Sequence, residues 1–343
     1  MNASPARRLA LAGSLVLPLI GTALLAAPAP AQDVPGVTGQ QAGVQSLLLG
    51  DARVTALSDG TLPIDLHQVL RGIQPRSVDA LLARSFQSNP AETSINAFLV
   101  DVGDRRVLVD VGAGELFGPR VGGRLLRALA AADARPDQIT DILITHVHSD
   151  HSGGLTVGGR IAFPNATVHV GRPDVDFFLG PAKTARTDDE RRLSQEAART
   201  LGPYVAAGRV RPFDRDGEIL PGIAAELRPG HTPGAAFYTL TSRGRRIVFI
   251  GDTVHAAAVQ LPEPAVTIVF DQDQPRAREV RRQAFARFAA DGTLIAAPHV
   301  SFPGVGRIRR DGAGYRWIPI EYGDRDAGAS SSEPGAKPPA PSR

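Results

Sequence analysis

Four side chains that can bind metal ions lie within one short stretch of the sequence, namely His146, His148, Asp150 and His151. The apolar residues 142–144 before them predict a buried strand. Residues two apart in an extended chain face the same side, so His146 and His148 are expected to reach one metal ion while Asp150 and His151 turn toward a second. Imidazole and carboxylate together suit zinc, manganese, iron or cobalt. The alternative interpretation is a polar loop with surface histidines.

Three further candidate ligands follow other apolar runs. His231 comes after residues 224–227, Asp252 after residues 247–250, and His299 shortly after Leu294 and Ile295. All three have glycine or proline close by, which is typical of turns at the end of a strand. The chain has only eight histidines. Because so many of them occur at strand-to-loop junctions, we expect the fold to bring them together in one site.

Apolar spacing predicts the elements that must position these residues. Residues 107–110 and 96–102 are expected to form a hairpin of two strands across Gly103 and Asp104. Apolar residues at helical spacing predict helices over residues 125–132, 188–207 and 276–290. Strands that alternate with helices and hairpins favour an α/β layered fold, and the sequence contains no internal repeat.

The complete ligand pattern resembles that of the metallo-β-lactamase superfamily. The pattern is His-x-His-x-Asp-His, then Gly-His, then Gly-Asp, then a histidine near the C-terminus. This resemblance implies an α/β fold, an αββα sandwich in which two mixed sheets face each other with helices outside. It implies a first metal bound by His146, His148 and His231. It implies a second metal bound by Asp150, His151 and His299, with Asp252 bridging the two ions.

A closer resemblance, from about residue 45 to residue 322, is to the methyl parathion hydrolases, which are secreted organophosphate hydrolases. Its carriers include residues 56–61, 294–303 and 314–317. The resemblance implies an apolar substrate pocket lined by Phe117, Phe178 and Phe270. His255 would contact substrate or relay a proton at the same pocket, and the alternative is a polar residue at its rim.

The pocket also departs from that family. Phe178 stands where the family has tryptophan, and Leu193 and Ser194 stand where it has an aromatic pair. Ser149 replaces a proline inside the ligand motif. An aryl leaving group would therefore be held less firmly, which leaves lactones and simple aryl esters as alternative substrates.

The N-terminal residues predict export. Paired arginines at 7–8 precede an apolar run over 9–27, and Ala-Pro-Ala at 29–31 provides a cleavage signal, which is typical of a secretory signal peptide. The arginine pair is compatible with twin-arginine export as well as the general route. A retained membrane anchor is the alternative, but proline and glycine interrupt the run. We therefore predict a signal peptide (1–31), a flexible lead (32–44), a catalytic domain (45–323) and a disordered tail (324–343), in a periplasmic or secreted protein without a stable membrane anchor.

Composition excludes several classes of function. The chain has no cysteine, which excludes thiolate ligands and a cysteine nucleophile. Its formal net charge of +3 falls to +1 when Arg7 and Arg8 leave with the signal peptide, which does not indicate a nucleic-acid partner. The expected partner is a small ester, phosphotriester or lactone, and the sequence also allows a homodimer.

The predicted chemistry is hydrolysis by two divalent metal ions, with zinc as the first choice and manganese, iron or cobalt as alternatives. Two ions about 3.5–4 Å apart can share a bridging hydroxide and polarise the oxygen of the scissile bond. Asp150 and Asp252 are the predicted catalytic carboxylates. Aryl dialkyl phosphotriesters are the leading substrate class, with a lactonase or arylesterase, including the acyl-homoserine lactone type, as the alternative. The β-lactamases of the superfamily lack the bridging carboxylate, so Asp252 disfavours antibiotic hydrolysis, and a non-catalytic binder is the remaining alternative.

Overall fold

The computed structural model describes residue 1, residues 40–180, residues 187–321 and residue 323. The predicted signal peptide, most of the flexible lead and the tail after residue 323 lie outside the described residues, so these predictions remain open. The described residues from Gln41 onward belong to one compact unit. Within the described ranges, no helix has both the length and the apolar character that crossing a membrane requires.

Strands and helices alternate along the described residues, with most strands in hairpins. The strands are β1 (Val44–Leu49), β2 (Ala52–Ile64), β3 (Leu70–Arg71), β4 (Ala91–Val102), β5 (Arg105–Val109), β6 (Asp141–Ile144), β7 (Thr156–Val157), β8 (Arg160–Ile161), β9 (Thr167–Gly171), β10 (Val210–Phe213), β11 (Gly217–Leu220), β12 (Ile223–Leu227), β13 (Ala236–Ser242), β14 (Arg245–Phe249), β15 (Thr267–Ile268), β16 (Leu294–Ala296), β17 (Val305–Asp311) and β18 (Gly314–Pro319). The helices are α1 (Leu66–Val69), α2 (Pro75–Ala83), α3 (Leu125–Ala131), α4 (Ser149–Ser152), α5 (Arg172–Leu179), α6 (Asp188–Thr200), α7 (Gly202–Ala206), α8 (Ala257–Gln260) and α9 (Gln274–Asp291).

Two mixed seven-stranded sheets dominate the structure. The first has the order β1-β2-β4-β5-β6-β9-β10, and the second has the order β11-β12-β13-β14-β16-β17-β18. Side chains alternate between the two faces of a strand. In β4, Phe98 and Val100 contribute to the hydrophobic cluster shared by both sheets, whereas Ala97 and Leu99 pack with helices α3, α6 and α7 on the outer face. Helix α9 covers the outer face of the second sheet. This layering confirms the predicted αββα sandwich.

Most predicted elements are present, and one helix differs. The hairpin of β4 and β5 is antiparallel as expected, although β4 begins at Ala91. The single helix predicted over residues 188–207 is divided into α6 and α7 around Leu201. Pro203 lies in the first turn of α7, where a proline is tolerated because its missing N–H has no helical acceptor. Apolar spacing alone did not reveal this break.

Strand direction brings the candidate ligands to one region. Strands β5 and β6 run parallel in the first sheet, and β14 and β16 run parallel in the second. Strand β12 runs in the same direction as β14, since both are antiparallel to β13. The loops that leave the carboxyl ends of these strands carry the histidines and aspartates identified from the sequence.

Candidate metal centre

The seven side chains predicted as ligands bring potential ligand atoms together in two adjoining groups, and His255 forms a further group with Asp252 and His299. In each group the ligand atoms lie within 4.8 Å of one another. The first group consists of His146, His148, His231 and Asp252. The second consists of Asp150, His151 and His299. The structure thus places together every residue that the sequence pattern singled out as a ligand.

Asp252 joins the two groups because its two carboxylate oxygens face different histidines. Its Oδ2 lies 3.5 Å from His146 Nε2 and 3.2 Å from His231 Nε2. Its Oδ1 lies 3.0 Å from His151 Nε2 and 3.0 Å from His299 Nε2. A carboxylate in this orientation can contribute one oxygen atom to each of two cations.

The local backbone explains how one short motif supplies both groups. After β6 the chain bends at Thr145 and His146, and the extended residue His148 is the N-cap of α4. Asp150 and His151 lie in the first turn of that helix, so the motif places two of its ligands before the helix and two within it. The glycines that follow allow close approach of another loop, because a Cβ atom on Gly153 would lie 2.1 Å from a backbone oxygen.

Hydrogen bonds at Nδ1 fix the orientation of three ligand histidines. His151 Nδ1 donates to Asp110 Oδ2, His231 Nδ1 donates to Asp271 Oδ1, and His299 Nδ1 donates to the backbone oxygen of Ser94, each at 2.8 Å. A carboxylate or carbonyl oxygen accepts the proton of Nδ1 and leaves Nε2 available as a ligand. The structure therefore selects the tautomer in which Nε2 faces the site.

Distances within the first group fit a metal ion. His148 Nδ1 lies 3.1 Å from His146 Nε2 and 3.0 Å from His231 Nε2. Tetrahedral zinc with nitrogen ligands at about 2.0 Å would place those ligands about 3.3 Å apart. Buried atoms with no hydrogen-bond partner in the described residues include His151 Nε2 and Asp252 Oδ1. Such atoms are costly unless a cation or water completes them, so these residues fit two divalent ions.

The histidines of the site differ in the direction of their pKa shifts. Burial, together with the charge of neighbouring histidines, holds the pKa of His146 and His148 well below the usual range. Burial would also lower the pKa of His231, but Asp252 and Asp271 outweigh it and raise the pKa to about 9. Burial opposes ionisation of Asp252, yet the charges of His151, His299 and other histidines hold its pKa well below the usual range. Metal binding would displace the protons that the histidines hold.

Two buried aspartates, Asp110 and Asp174, accept hydrogen bonds from the loops that carry the ligands. Asp110 Oδ1 accepts from the backbone N–H of Thr145, and Oδ2 accepts from the Thr145 hydroxyl. Asp174 accepts from the backbone N–H groups of Val147, at 2.9 Å, and Gly234, at 2.6 Å, and so connects the loops of His148 and His231. Nothing in the sequence indicated Asp174 or Asp271, because no local pattern marks them.

The predicted pocket residues occupy different environments. His255 is buried, its Nε2 lies 3.0 Å from Asp252 Oδ2, and its ring stacks on His299 at 5.1 Å. This burial does not fit a residue at a polar rim. Phe270 is 41% exposed, with its ring 6.1 Å from His255. Phe178 is buried in the hydrophobic core, with its ring 5.9 Å from His148, so it packs behind a ligand instead of forming an open wall. Phe117 is half-buried on the loop after β5.

Comparison with known proteins agrees with this geometry. The family model of the metallo-β-lactamase superfamily matches residues 91–299. The crystal structure of hydrolase AbOPH, in the β-lactamase superfamily, is similar at a TM-score of 0.79 and 37% identity, over 83% of this chain and 100% of that chain. AidC, a dizinc quorum-quenching lactonase solved with the product N-hexanoyl-L-homoserine, is similar at a TM-score of 0.77 and 23% identity, over 83% of this chain and 100% of that chain. At that identity, the likeness to AidC shows the fold alone.

Curated relatives match over shorter regions. Ribonuclease TTHA0252 of Thermus thermophilus is 29% identical over 184 residues, which are 52% of this chain and 40% of the ribonuclease. Protein YobT of Bacillus subtilis is 27% identical over 158 residues, which are 46% of this chain and 62% of YobT. The chain thus matches only part of either relative. The match to the family model extends over more than half of the chain and includes the histidine and aspartate ligand motifs, and the chain belongs to the metallo-β-lactamase superfamily of metal-dependent hydrolases.

Proposed function

We propose that this protein is an exported hydrolase that cleaves uncharged esters with two divalent metal ions. The proposed ligands of the first ion are His146, His148 and His231. The proposed ligands of the second are Asp150, His151 and His299, and Asp252 contributes to both. The observation that carries the proposal is the position of the Asp252 carboxylate between the two groups. Its Oδ2 lies 3.2 Å from His231 Nε2, and its Oδ1 lies 3.0 Å from His299 Nε2.

Two divalent ions at this site would supply a water of lowered pKa and a Lewis acid for the oxygen of the scissile group. The chain itself supplies orientation and proton acceptance. The side chain of Asp252 is 3% exposed, whereas that of Asp150 is 17% exposed, so Asp150 is the carboxylate that a proton from substrate or solvent can reach. His255 is buried beside Asp252, with its Nε2 3.0 Å from Asp252 Oδ2, and faces the same group of histidines.

Aryl dialkyl phosphotriesters are the first candidate substrates. The support is the resemblance to methyl parathion hydrolases in residues 294–303 and 314–317, together with the 37% identity to hydrolase AbOPH. The half-exposed ring of Phe270 close to His255 provides an apolar contact for an aryl leaving group. A phosphotriester carries no charge, so it requires no cluster of arginines for binding.

Lactones and aryl esters are the second candidate class, and the packing of the pocket supports the lactones among them. Phe178 is part of the core, and Leu193 packs against the same cluster. The aromatic surface available to an aryl group is therefore smaller than three phenylalanines would provide. AidC, a lactonase of the same fold, was solved with the product N-hexanoyl-L-homoserine, which supports a lactone as an alternative substrate.

A substrate panel on the purified, metal-analysed protein tests the proposal. The panel includes an aryl dialkyl phosphotriester, an aryl ester, an acyl-homoserine lactone, a chromogenic β-lactam and an RNA. We expect the highest kcat/KM on the phosphotriester, and a higher value on the lactone or aryl ester would reverse the order of the two classes. Activity on the β-lactam or RNA alone would contradict the proposal, and His148→Ala serves as the inactive control.

Export is proposed from the predicted signal peptide over residues 1–31. Its supports are the paired arginines, the apolar run and the Ala-Pro-Ala cleavage signal. The mature chain is expected to begin near Gln32 and to be found outside the cytoplasm. N-terminal sequencing of exported material tests this, and an intact Met1 would contradict it.

A further inference from the structure

Helix α9 carries a buried arginine, Arg281. It contacts the loop that carries Asp252 and the segment that leads into helix α9. Arg281 is 1% exposed. Its Nε donates to the backbone oxygen of Thr253 at 2.7 Å, and its Nη1 donates to the backbone oxygen of Val266 at 2.7 Å. Its Nη2 lies 3.5 Å from Asp271 Oδ2. One guanidinium group thus connects three points on two separate loops.

Burial of this charge has a cost that packing alone would not require. A charged group taken out of water is destabilising unless hydrogen bonds and an opposite charge compensate it. Apolar side chains of similar volume often replace buried ion pairs with equal or greater stability. Arg281 therefore differs from a core methionine or leucine in the polar contacts that it makes, and not in the volume that it fills.

Two of the three contacts of Arg281 lead to a candidate ligand within one residue or one hydrogen bond. Thr253 follows Asp252 directly in the chain, and Arg281 binds its carbonyl. Asp271 uses its other oxygen, Oδ1, to accept the Nδ1 proton of His231 at 2.8 Å. The guanidinium therefore reaches Asp252 through one backbone position and His231 through one carboxylate.

The backbone leading into α9 is fixed against the same loop. The backbone N–H of Gln272 donates to the carbonyl of His231 at 2.9 Å, and that of Asp273 donates to the carbonyl of Gly230 at 2.8 Å. A Cβ atom on Gly230 would lie 2.5 Å from the backbone nitrogen of Ala277, so only glycine allows this approach. The backbone at the start of helix α9 is thus packed and hydrogen-bonded directly against the loop that carries His231.

We propose that Arg281 is a positioning residue for the first metal ion, which it serves by fixing Asp271 against His231 and the Thr253 carbonyl beside Asp252. Its contacts keep His231 Nε2 and Asp252 Oδ2 at their separation of 3.2 Å. Its positive charge also balances Asp271, so that this carboxylate can orient the imidazole of His231. This inference rests on the metal ligands assigned in the proposed function.

Zinc affinity of the intact chain tests the inference without any substrate. Arg281→Met keeps approximate volume and removes the three polar contacts, whereas Arg282→Met changes an exposed arginine at the next position of the same helix. Competition with a chromogenic chelator gives the affinity of each bound zinc. We expect Arg281→Met to weaken one of the two zinc sites by about 10–100-fold, as removal of outer contacts to ligands does elsewhere. Arg282→Met should bind zinc as the unmodified chain does.

A double-mutant cycle with Asp271→Asn asks whether Arg281 acts through Asp271. Contributions from residues that act in one network are not additive, so Arg281→Met should weaken zinc binding less when Asp271→Asn is already present. Fully additive effects would overturn the inference. A lower melting temperature of metal-free Arg281→Met with unchanged zinc affinity would also overturn it, because that result identifies a structural role alone.

Three variants cover the case in which Arg281→Met does not fold, namely Arg281→Lys, Arg281→Gln and Asp271→Asn. Arg281→Lys keeps the charge, and Asp271→Asn keeps the shape of the carboxylate, so each retains most of the packing. We expect Arg281→Lys to bind zinc more tightly than Arg281→Gln, and Asp271→Asn to weaken zinc binding. Unchanged affinity in Asp271→Asn would contradict the inference. If the unmodified chain binds two zinc ions but hydrolyses no ester, the proposed function fails and the role of Arg281 is still decided by these affinities.

Discussion

Asp252 Oδ1 lies 3.0 Å from His299 Nε2, and these two residues come from loops of neighbouring parallel strands, β14 and β16. The other oxygen of the same carboxylate faces the first group of histidines. A single buried side chain therefore contacts both groups.

Metal removal is expected to abolish activity and to lower the melting temperature. The unmodified protein should contain close to two transition-metal ions per chain, because each of the two groups forms a separate site. Ions that bind only the folded state stabilise it by mass action. Metal analysis together with thermal unfolding before and after chelation provides the measurement. One ion per chain with full activity would be incompatible with the two-ion proposal.

Replacement of Asp252 should have a larger effect than replacement of the residue that orients His151. Asp252→Ala removes a proposed ligand of both ions, so we expect nearly complete loss of turnover and a metal content below two. Asp110→Asn removes the charge that accepts the His151 Nδ1 proton and should cost about 10–100-fold in metal affinity or activity. The exposed Asp176→Asn is the control. Equal and mild losses in the first two variants would show that the ligand assignment is wrong.

The two phenylalanines near the ligands should respond differently to alanine substitution. Phe178 is buried, so Phe178→Ala should cost about 3–5 kcal/mol of unfolding free energy. Phe270 is 41% exposed, so Phe270→Ala should affect stability little.

Loss of the Phe270 ring should instead weaken kcat/KM on an aryl phosphotriester by about tenfold, which corresponds to about 1.4 kcal/mol. The same variant should leave a lactone without an aryl group nearly unaffected. Urea unfolding and kinetics on both substrates provide the measurements. A selective loss of lactone turnover would reverse the proposed order of substrates.

Acid pH should reduce stability through Asp141, which lies away from the metal groups. Burial raises the pKa of Asp141, but hydrogen bonds from His169, Thr140 and Arg105 outweigh it and lower the pKa below the ordinary value. A lowered pKa means that the charged form stabilises the fold above the ordinary pKa of 3.8. This contribution is lost as pH falls through the lowered value.

The variant Asp141→Asn should therefore be less stable than the unmodified chain at neutral pH, and the difference should shrink as the pH falls. Unfolding of the metal-free protein from about pH 7 to about pH 3 measures this difference. Asp137→Asn, an exposed substitution, should show no such trend. A difference that stays constant with pH would exclude ionisation of Asp141 as its source.

The sequence alone determined the ligand types and most of the elements that carry them. Histidine and aspartate at short spacing after an apolar run predict a metal motif at a strand end, and the structure has β6 followed by that motif. Such information is local, since it depends on the alternation of side chains along one strand and on turn residues directly after it. The layered fold followed from the same alternation together with the resemblance to the superfamily.

Tertiary structure decided which groups orient the ligands and how open the pocket is. His231 and its acceptor Asp271 are 40 residues apart, and Thr232 and Asp174 are 58 residues apart. Nothing in the sequence near Asp174, Asp271 or Arg281 marks these contacts, because they arise only when separate loops pack together. The burial of Phe178 beside His148 has the same origin, since exposure depends on what other segments cover a side chain and not on the identity of its neighbours in the chain.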